Sequence, residues 1–233
     1  MNAVFLPKNQ KVNFMSLIAK AKPQGEVSEF VPVPVGMHLA RCYRIVDLGT
    51  QNKVTQYGPK LQRTIMVTFE VHGEGADGLP LVTARGEPMT IAQDYNLTLN
   101  ENSTLCKHLE GWRGSKFTEP ERNGGFDIKK ILGAWAMVNV TASASSKTGK
   151  VYHNVSALMP VPAAMKKAGL PDGFNELGYF SMEDEKPAMP VFESLSQYHQ
   201  NKVKQSPEWQ ALFGNGGGNE KYEPFEEEDD IPF

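Results

Sequence analysis

The stretch Leu61-Gln-Arg-Thr-Ile-Met-Val-Thr-Phe-Glu-Val-His72 alternates along its whole length. Leu61, Arg63, Ile65, Val67, Phe69 and Val71 fall on one side of an extended chain, and Gln62, Thr64, Met66, Thr68 and Glu70 fall on the other. A side-chain period of two is that of a β-strand. The first set is apolar except for Arg63, which stands near the loop end, so the reading is a strand with one core face. Upstream, Val35 to Leu48 is apolar and β-prone, punctuated by Gly36 and Gly49, and reads as a long first strand. Between the two, Gly49 to Lys60 is polar and reads as a loop with a Gly58-Pro59 turn.

Downstream, a Gly-rich connection from Gly73 to Pro80 and a second irregular stretch precede a third strand, Met89 to Leu99. Asn102-Ser103 is a helix cap, followed by Leu105, Leu109 and Trp112 on one helical face, with Gly111 and Gly114 as the end. A short second helix spans Asp127 to Gly133. Trp135 to Ala144 and Lys150 to Met159 are two more strands, joined by a hairpin around Lys147-Thr148-Gly149-Lys150. Three strands, a helix, then two strands is the order of an OB-fold, a mainly β, five-stranded Greek-key barrel. Such barrels bind oligonucleotides across strands 2 and 3 and the loops joining strands 1 to 2 and 4 to 5. A β-sandwich needs about seven strands, more than this pattern supplies.

The flanks complete the plan. Residues 1–34 form an N-terminal arm in which Lys8, Lys11, Lys20 and Lys22 interleave with Phe5 and Phe14 before Val31-Pro32-Val33-Pro34. Residues 35–160 are the OB domain, and 161–213 a turn-rich extension with helices at Phe192 to Val203 and after the Ser206-Pro207-Glu208 cap. Residues 214–233 are a glycine linker and an acidic tail with Phe233 at its end. The net charge of −3 is divided unevenly. From Glu220 to Phe233 seven acids face one lysine, whereas residues 1–219 hold 23 Lys and Arg against 20 acids. A basic body with an acidic arm suits a nucleic-acid binder that also recruits proteins.

No apolar run approaches the ~20 residues of a membrane helix, and the start lacks a signal-peptide pattern, so a cytoplasmic protein with no membrane partner is expected. Cys42 and Cys106 fall within predicted strand and helix and read as buried free thiols. The five histidines show no ligand spacing, and no nucleophile elbow or phosphate-cradling glycine loop occurs, so neither an enzyme, a metal nor a cofactor is expected. Single-strand binding needs a cationic groove and aromatic faces. The candidate cations are Arg41, Arg44, Lys53, Lys60, Arg63, Lys147 and Lys150, and the candidate stackers are Tyr43, Tyr57, Tyr95 and Tyr152. Tyr43 and Tyr95 also fit a core position; Trp112, Trp135, Phe117 and Phe126 read as packing.

The tip Asp229-Asp230-Ile231-Pro232-Phe233 joins a solvated acidic run to an apolar end that can fill a partner's pocket. It resembles the partner-recruiting tip of bacterial single-stranded DNA-binding proteins (SSBs). Cys42-Tyr-Arg-Ile-Val-Asp-Leu-Gly-Thr-Gln51, Leu109-Glu-Gly-Trp-Arg-Gly-Ser-Lys-Phe-Thr118, Gly125-Phe-Asp-Ile-Lys-Lys-Ile-Leu-Gly133, Gly149-Lys-Val-Tyr-His-Asn154 and Ser206-Pro-Glu-Trp209 resemble the block series of a family of bacteriophage SSBs. The resemblance implies an OB-fold without cofactor that coats single-stranded DNA in replication and recombination. It also implies host or phage replication and repair proteins as partners of the tip; self-association on DNA is a further expectation. It assigns no DNA-contacting residue. A recombination-mediator module and an RNA-binding OB protein are the alternative readings.

Overall fold

The computed structural model describes residues 31–55, 58–145 and 148–214. The strands are β1 (Gly36–Thr55), β2 (Gly58–His72), β3 (Thr90–Asn96), β4 (Trp135–Ala144), β5 (Val151–Met159) and the short β6 (Gly178–Phe180). Neighbours run in the order β3-β2-β1-β4-β5, all antiparallel, while β6 pairs parallel with Arg44–Val46 of β1. β1 serves two partners along its length: its first part pairs with β4 from Gly36↔Val140 to Arg41↔Trp135, and it pairs with β2 from Leu39 onward. Where β4 leaves, β6 takes its place.

The expected loop between strands 1 and 2 is instead strand. The ladder continues through Gly49↔Thr64 and Lys53↔Lys60 to Thr55↔Gly58. Its polar residues reflect an arm that leaves the core, where neither face needs to be apolar, so the period-2 signal vanishes although the pairing persists. Leu61, read as a core residue, is accordingly 68% exposed. The opposite deviation affects the middle of β2. Ile65, Val67, Phe69 and Val71 line the main core as expected, yet Thr64, Met66, Thr68 and Glu70 are buried too. The strand has two covered faces, not one.

The second cover comes from the extension. Helices α4 (Met189–Glu193), α5 (Gln197–Lys204) and α6 (Pro207–Phe213) bring Phe192, Leu195 and Val203 over Val46, Leu48 and Met66, with Phe180 and Met182 beside them. Phe192 stacks on Trp209 at 4.5 Å, and Trp209 meets Phe213 at 4.3 Å. The single helix expected over Phe192 to Val203 is two, because Ser196 leaves the helical region to cap α5 through its hydroxyl. Ser206 caps α6 as its Ser-Pro-Glu signature predicts.

Between β3 and β4 lies α1 (Thr104–Arg113), capped by Ser103 and stopped by Gly114 in the left-handed region. Leu105, Leu109 and Trp112 are buried on one face as their spacing requires, and Trp112 Nε1–H donates to the Trp135 carbonyl at 2.8 Å. Next come α2 (Glu119–Gly124), held by a Thr118–Glu121 capping box that the sequence reading passed over, and a 3-10 turn at Ile128–Ile131 where a longer helix was expected. Another short helix, α3 (Ala163–Ala168), follows β5. Both cysteines are free and buried. Among the described residues no helix is long and apolar enough to cross a membrane.

The sheet is open rather than a closed barrel: among the described residues no backbone ladder joins β3 to β5. Side chains span the gap instead. The Val155 N–H donates to Gln93 Oε1 at 3.3 Å, and His108 of α1 links both strands. Its Nε2–H donates to the Ser156 carbonyl at 3.2 Å, which leaves Nδ1 to accept the Tyr95 hydroxyl proton at 2.9 Å. Gly111 lets the helix come this close, since a Cβ there would stand 2.5 Å from the Leu158 carbonyl oxygen.

Two stability effects follow. Trp112→Ala should cost about 3–5 kcal/mol in denaturant unfolding, as a buried large-to-small change does. Burial holds the His108 pKa below its ordinary value, so the neutral ring contributes stability that is fully present above the unfolded pKa of about 6.5 and is lost as the pH falls below it. Melting curves recorded across that window should show the decline, and His108→Gln should flatten it.

Candidate nucleic-acid interface

The cations named from the sequence occupy three kinds of environment, with Arg44 half-buried in the middle of β1 beside the Tyr43 ring. Arg41 and Arg63 are engaged with carboxylates beneath the extension. Glu70, with no exposed surface, forms an ion pair with Arg41, whose Nε stands 2.8 Å away, and accepts the backbone N–H of Phe174 at 3.0 Å and both the backbone and side-chain N–H groups of Asn175 at 2.7 Å. His72 Nε2 stands 3.1 Å from the same carboxylate. Gly173 packs so tightly on the Arg41 guanidinium that a Cβ would collide with it. Arg63 is held by Asp47 at 2.6 Å, by Glu208 of α6 at 3.0 Å and by Glu183 at 3.4 Å. Asp47 also accepts the Met182 N–H at 3.1 Å, and Glu208 the Thr50 N–H at 2.8 Å. These two arginines therefore fasten the extension to the sheet and do not present open charge to a phosphate.

Burial pushes the Glu70 and Glu208 carboxyls up, but the hydrogen bonds from Asn175 and Thr50 outweigh it and hold both below the usual carboxylate range. A pocket of ≈ 370 Å³ opens beside Arg63, walled by Ile45, Ile65 and Phe126. Its second arginine, Arg122, is likewise paired, with Glu101 at 2.6 Å and Glu110 at 3.0 Å.

The aromatic assignments need correction. Tyr95 is 3% exposed and bonded to His108, and its phenol is pushed up by burial, so it is a core residue without a free face. Tyr43 is 6% exposed: it sits at the β-bulge between Cys42 and Arg44, with the Arg44 guanidinium 5.1 Å from its ring centroid. Neither ring can take a stacked base as placed. Trp135, read as packing, is half-buried and meets the His72 ring edge-on at 4.9 Å. Its neighbours Ala136, Val138 and Val140 are fully buried, so the period of two puts Trp135 on the outer face. That signal was present in the sequence. Phe174, 58% exposed, carried none, because it lies in an aperiodic turn.

The remaining candidates sit on the two hairpins. Lys53 and Lys60 are cross-strand partners on the β1–β2 arm, Lys60 exposed; Lys150 is exposed beside β5, and Tyr152 is half-buried opposite Ser143. The hairpins lie at opposite ends of β1, since Thr55 pairs with Gly58 at one end and Gly36 with Val140 at the other. Arg41 and Lys53 are twelve residues apart on the same strand, at most about 40 Å at ~3.3 Å per residue, with two β-bulges in between. The residues thus form two separate basic elements and not one cluster. Tyr57, Lys147 and the tip Asp229, Asp230, Ile231, Pro232 and Phe233 lie outside the described residues. Among the described residues no group of His, Cys, Asp and Glu could hold a metal ion. Comparison of the sequence with protein-family models and with curated proteins gives no match.

Glu70→Ala should destabilise the fold by about 3–5 kcal/mol, because it strands Arg41 and two backbone N–H groups. Amide exchange at residues 174 and 175 should accelerate. The lowered carboxyl pKa values make the contribution of Glu70 and Glu208 fully present above the unfolded value near 4.5 and lost as the pH falls through the folded values. An acid titration of the melting temperature checks this, and Glu70→Ala should blunt the acid limb.

Proposed function

We propose that this chain is an OB-type single-stranded DNA-binding protein of the bacteriophage SSB kind, coating DNA during replication and recombination in the host cytoplasm. In this reading it binds and does not catalyse, and it uses no cofactor. The observation that carries the proposal is the connectivity: a sheet ordered β3-β2-β1-β4-β5, with α1 between β3 and β4 tying together its two ends through Tyr95, His108 and Ser156. That arrangement fits a five-stranded OB barrel whose last seam is made by side chains. Two lysine-bearing hairpins flank the sheet, as the loops flank the cleft of an OB-fold. The segment 226–233 recruits host or phage replication and repair proteins, its acids steering and Ile231-Pro232-Phe233 docking.

Affinity for single strands then comes from phosphate neutralisation by Lys53, Lys60, Lys147 and Lys150. Four such contacts give a log-log salt slope of about −3, from ~0.7 per phosphate on a single strand. Titration of fluorescent single-stranded, duplex and RNA oligomers at several salt concentrations measures it, and a slope near zero would sink the proposal. Preference for RNA would favour an RNA-binding OB protein. Removing residues 226–233 should raise DNA affinity modestly, because the tether lets the acids compete with phosphate until salt screens them at a Debye length of ~8 Å. The same truncation should abolish capture of replication and repair proteins. Removal of Phe233 alone should abolish capture and leave DNA affinity unchanged, which separates anchor from charge.

A further inference from the structure

The extension covers the outer face of β1 and β2 at Val46, Leu48 and Met66, and α5 reaches on to β3, where Lys202 Nζ is 2.9 Å from Asp94. The face across strands 2 and 3 is therefore closed over this part of the sheet. The outer face on the other side of β1 is not covered by the extension's helices. Here Met37 pairs with Asn139, Leu39 with Met137 and Arg41 with Trp135. Met37 is 42% and Met159 39% exposed, and Thr141 is open to solvent. On its rim stands Phe174, which Glu70 pins by the backbone N–H while leaving the ring outside.

We infer that this face, the outer surface of the first part of β1 with β4 and β5, is where single-stranded DNA lays its bases. The inference rests on the single-strand reading above and gives that site its place. Three observations favour a polyanion as the occupant. First, β4 and β5 contain no Asp or Glu, and neither does β1 from Gly36 to Arg44. On the rim Asp172 and Glu176 flank Phe174 and are exposed, so the carboxylate-free surface is that of the strands themselves; a phosphate chain lying along them meets no like charge there, a condition that two copies of this surface docking on one another would not require. Second, the face mixes flat or polarisable apolar groups, Trp135, Met37 and Phe174, which suit stacking, with Asn139 and Asn154, whose amides donate to the Ser156 and Ser143 hydroxyls at 2.8 and 2.9 Å and make a polar but uncharged surface between them. Third, Lys150 stands exposed at its hairpin end, where it can meet phosphate. The outer face of β3 offers the contrary setting, with Asp94 on the strand and α5 above it.

The test uses the full chain and a fluorescein-labelled oligo-dT. Thr141→Glu places a carboxylate on the open face, Phe174→Ala removes the rim ring, and Ala92→Glu places a carboxylate on the exposed outer side of β3. Each of the first two should lower affinity roughly tenfold, the scale of one lost base stack, and Ala92→Glu by less than about twofold. Melting temperatures and sedimentation coefficients should stay at the wild-type values. Iodouracil-substituted oligomer, photolysed on the unmodified protein, should crosslink to Trp135, Tyr152 or Phe174 and does not depend on any variant folding. Crosslinks confined to β2 and β3, or loss of binding in Ala92→Glu alone, would overturn the inference while leaving the single-strand reading intact. A sedimentation shift in Thr141→Glu with unchanged DNA affinity would also overturn it and assign the face to a second copy. Failure of the wild type to bind oligo-dT would remove the reading itself.

Discussion

Glu70 carries a charge with no exposed surface, and the rest of the molecule is arranged to make that tolerable. An unpaired carboxylate in such a place would cost several kcal/mol, so it collects a guanidinium, two backbone N–H groups and an amide. Three of those four partners come from the turn at Phe174 and Asn175, which leads the chain into β6 and the helices beyond it. The carboxylate thus fixes where the extension starts across the sheet. Asp47 and Glu208 repeat the arrangement from the other end, sharing Arg63 between sheet and α6. Between these two anchors, Met66, Val46 and Leu48 find an apolar cover, each fully buried side chain contributing about 1.5–3 kcal/mol.

Covering the second face changes what the sheet can offer a ligand. Arg41 and Arg63, which the sequence offers as phosphate contacts, are used up in holding the extension. The available positive charge moves outward to the hairpins, and the accessible sheet surface moves across β1 to β4 and β5. The proposed DNA path follows from that displacement: the ligand takes the face that the extension's helices leave, provided the charge there is of the right sign. A sheet with no carboxylate over β4 and β5 meets that condition.

The helix between β3 and β4 supplies a different constraint. With no ladder between β3 and β5, relative movement of the sheet's ends is limited by Tyr95, His108, Ser156 and the close approach at Gly111. Directional bonds of this kind hold a set geometry only while the imidazole keeps its neutral tautomer, which places a titratable group at the seam. In the proposed function, a sheet held in this way would present a pre-set surface, which lowers the ordering cost of catching a mobile single strand.

The sequence by itself determined the elements whose signal is local. The alternation of β2, the caps of α1 and α6, the two strands of the β4–β5 hairpin and the order strand-strand-strand-helix-strand-strand were legible, because a period or a cap needs no distant partner. Even Trp135 could have been read outward from the parity of Ala136, Val138 and Val140. Only the tertiary structure decided which polar residues are buried and which cations are spent. Thr64, Thr68 and Glu70 look like a solvent face until residues more than a hundred positions away close over them, and Arg41 and Arg63 look like groove cations until their carboxylates are seen. The physical reason is that charge and burial are properties of the assembled neighbourhood: a side chain's partners come from whichever segment the packing brings near, and nothing in the local pattern encodes that distance.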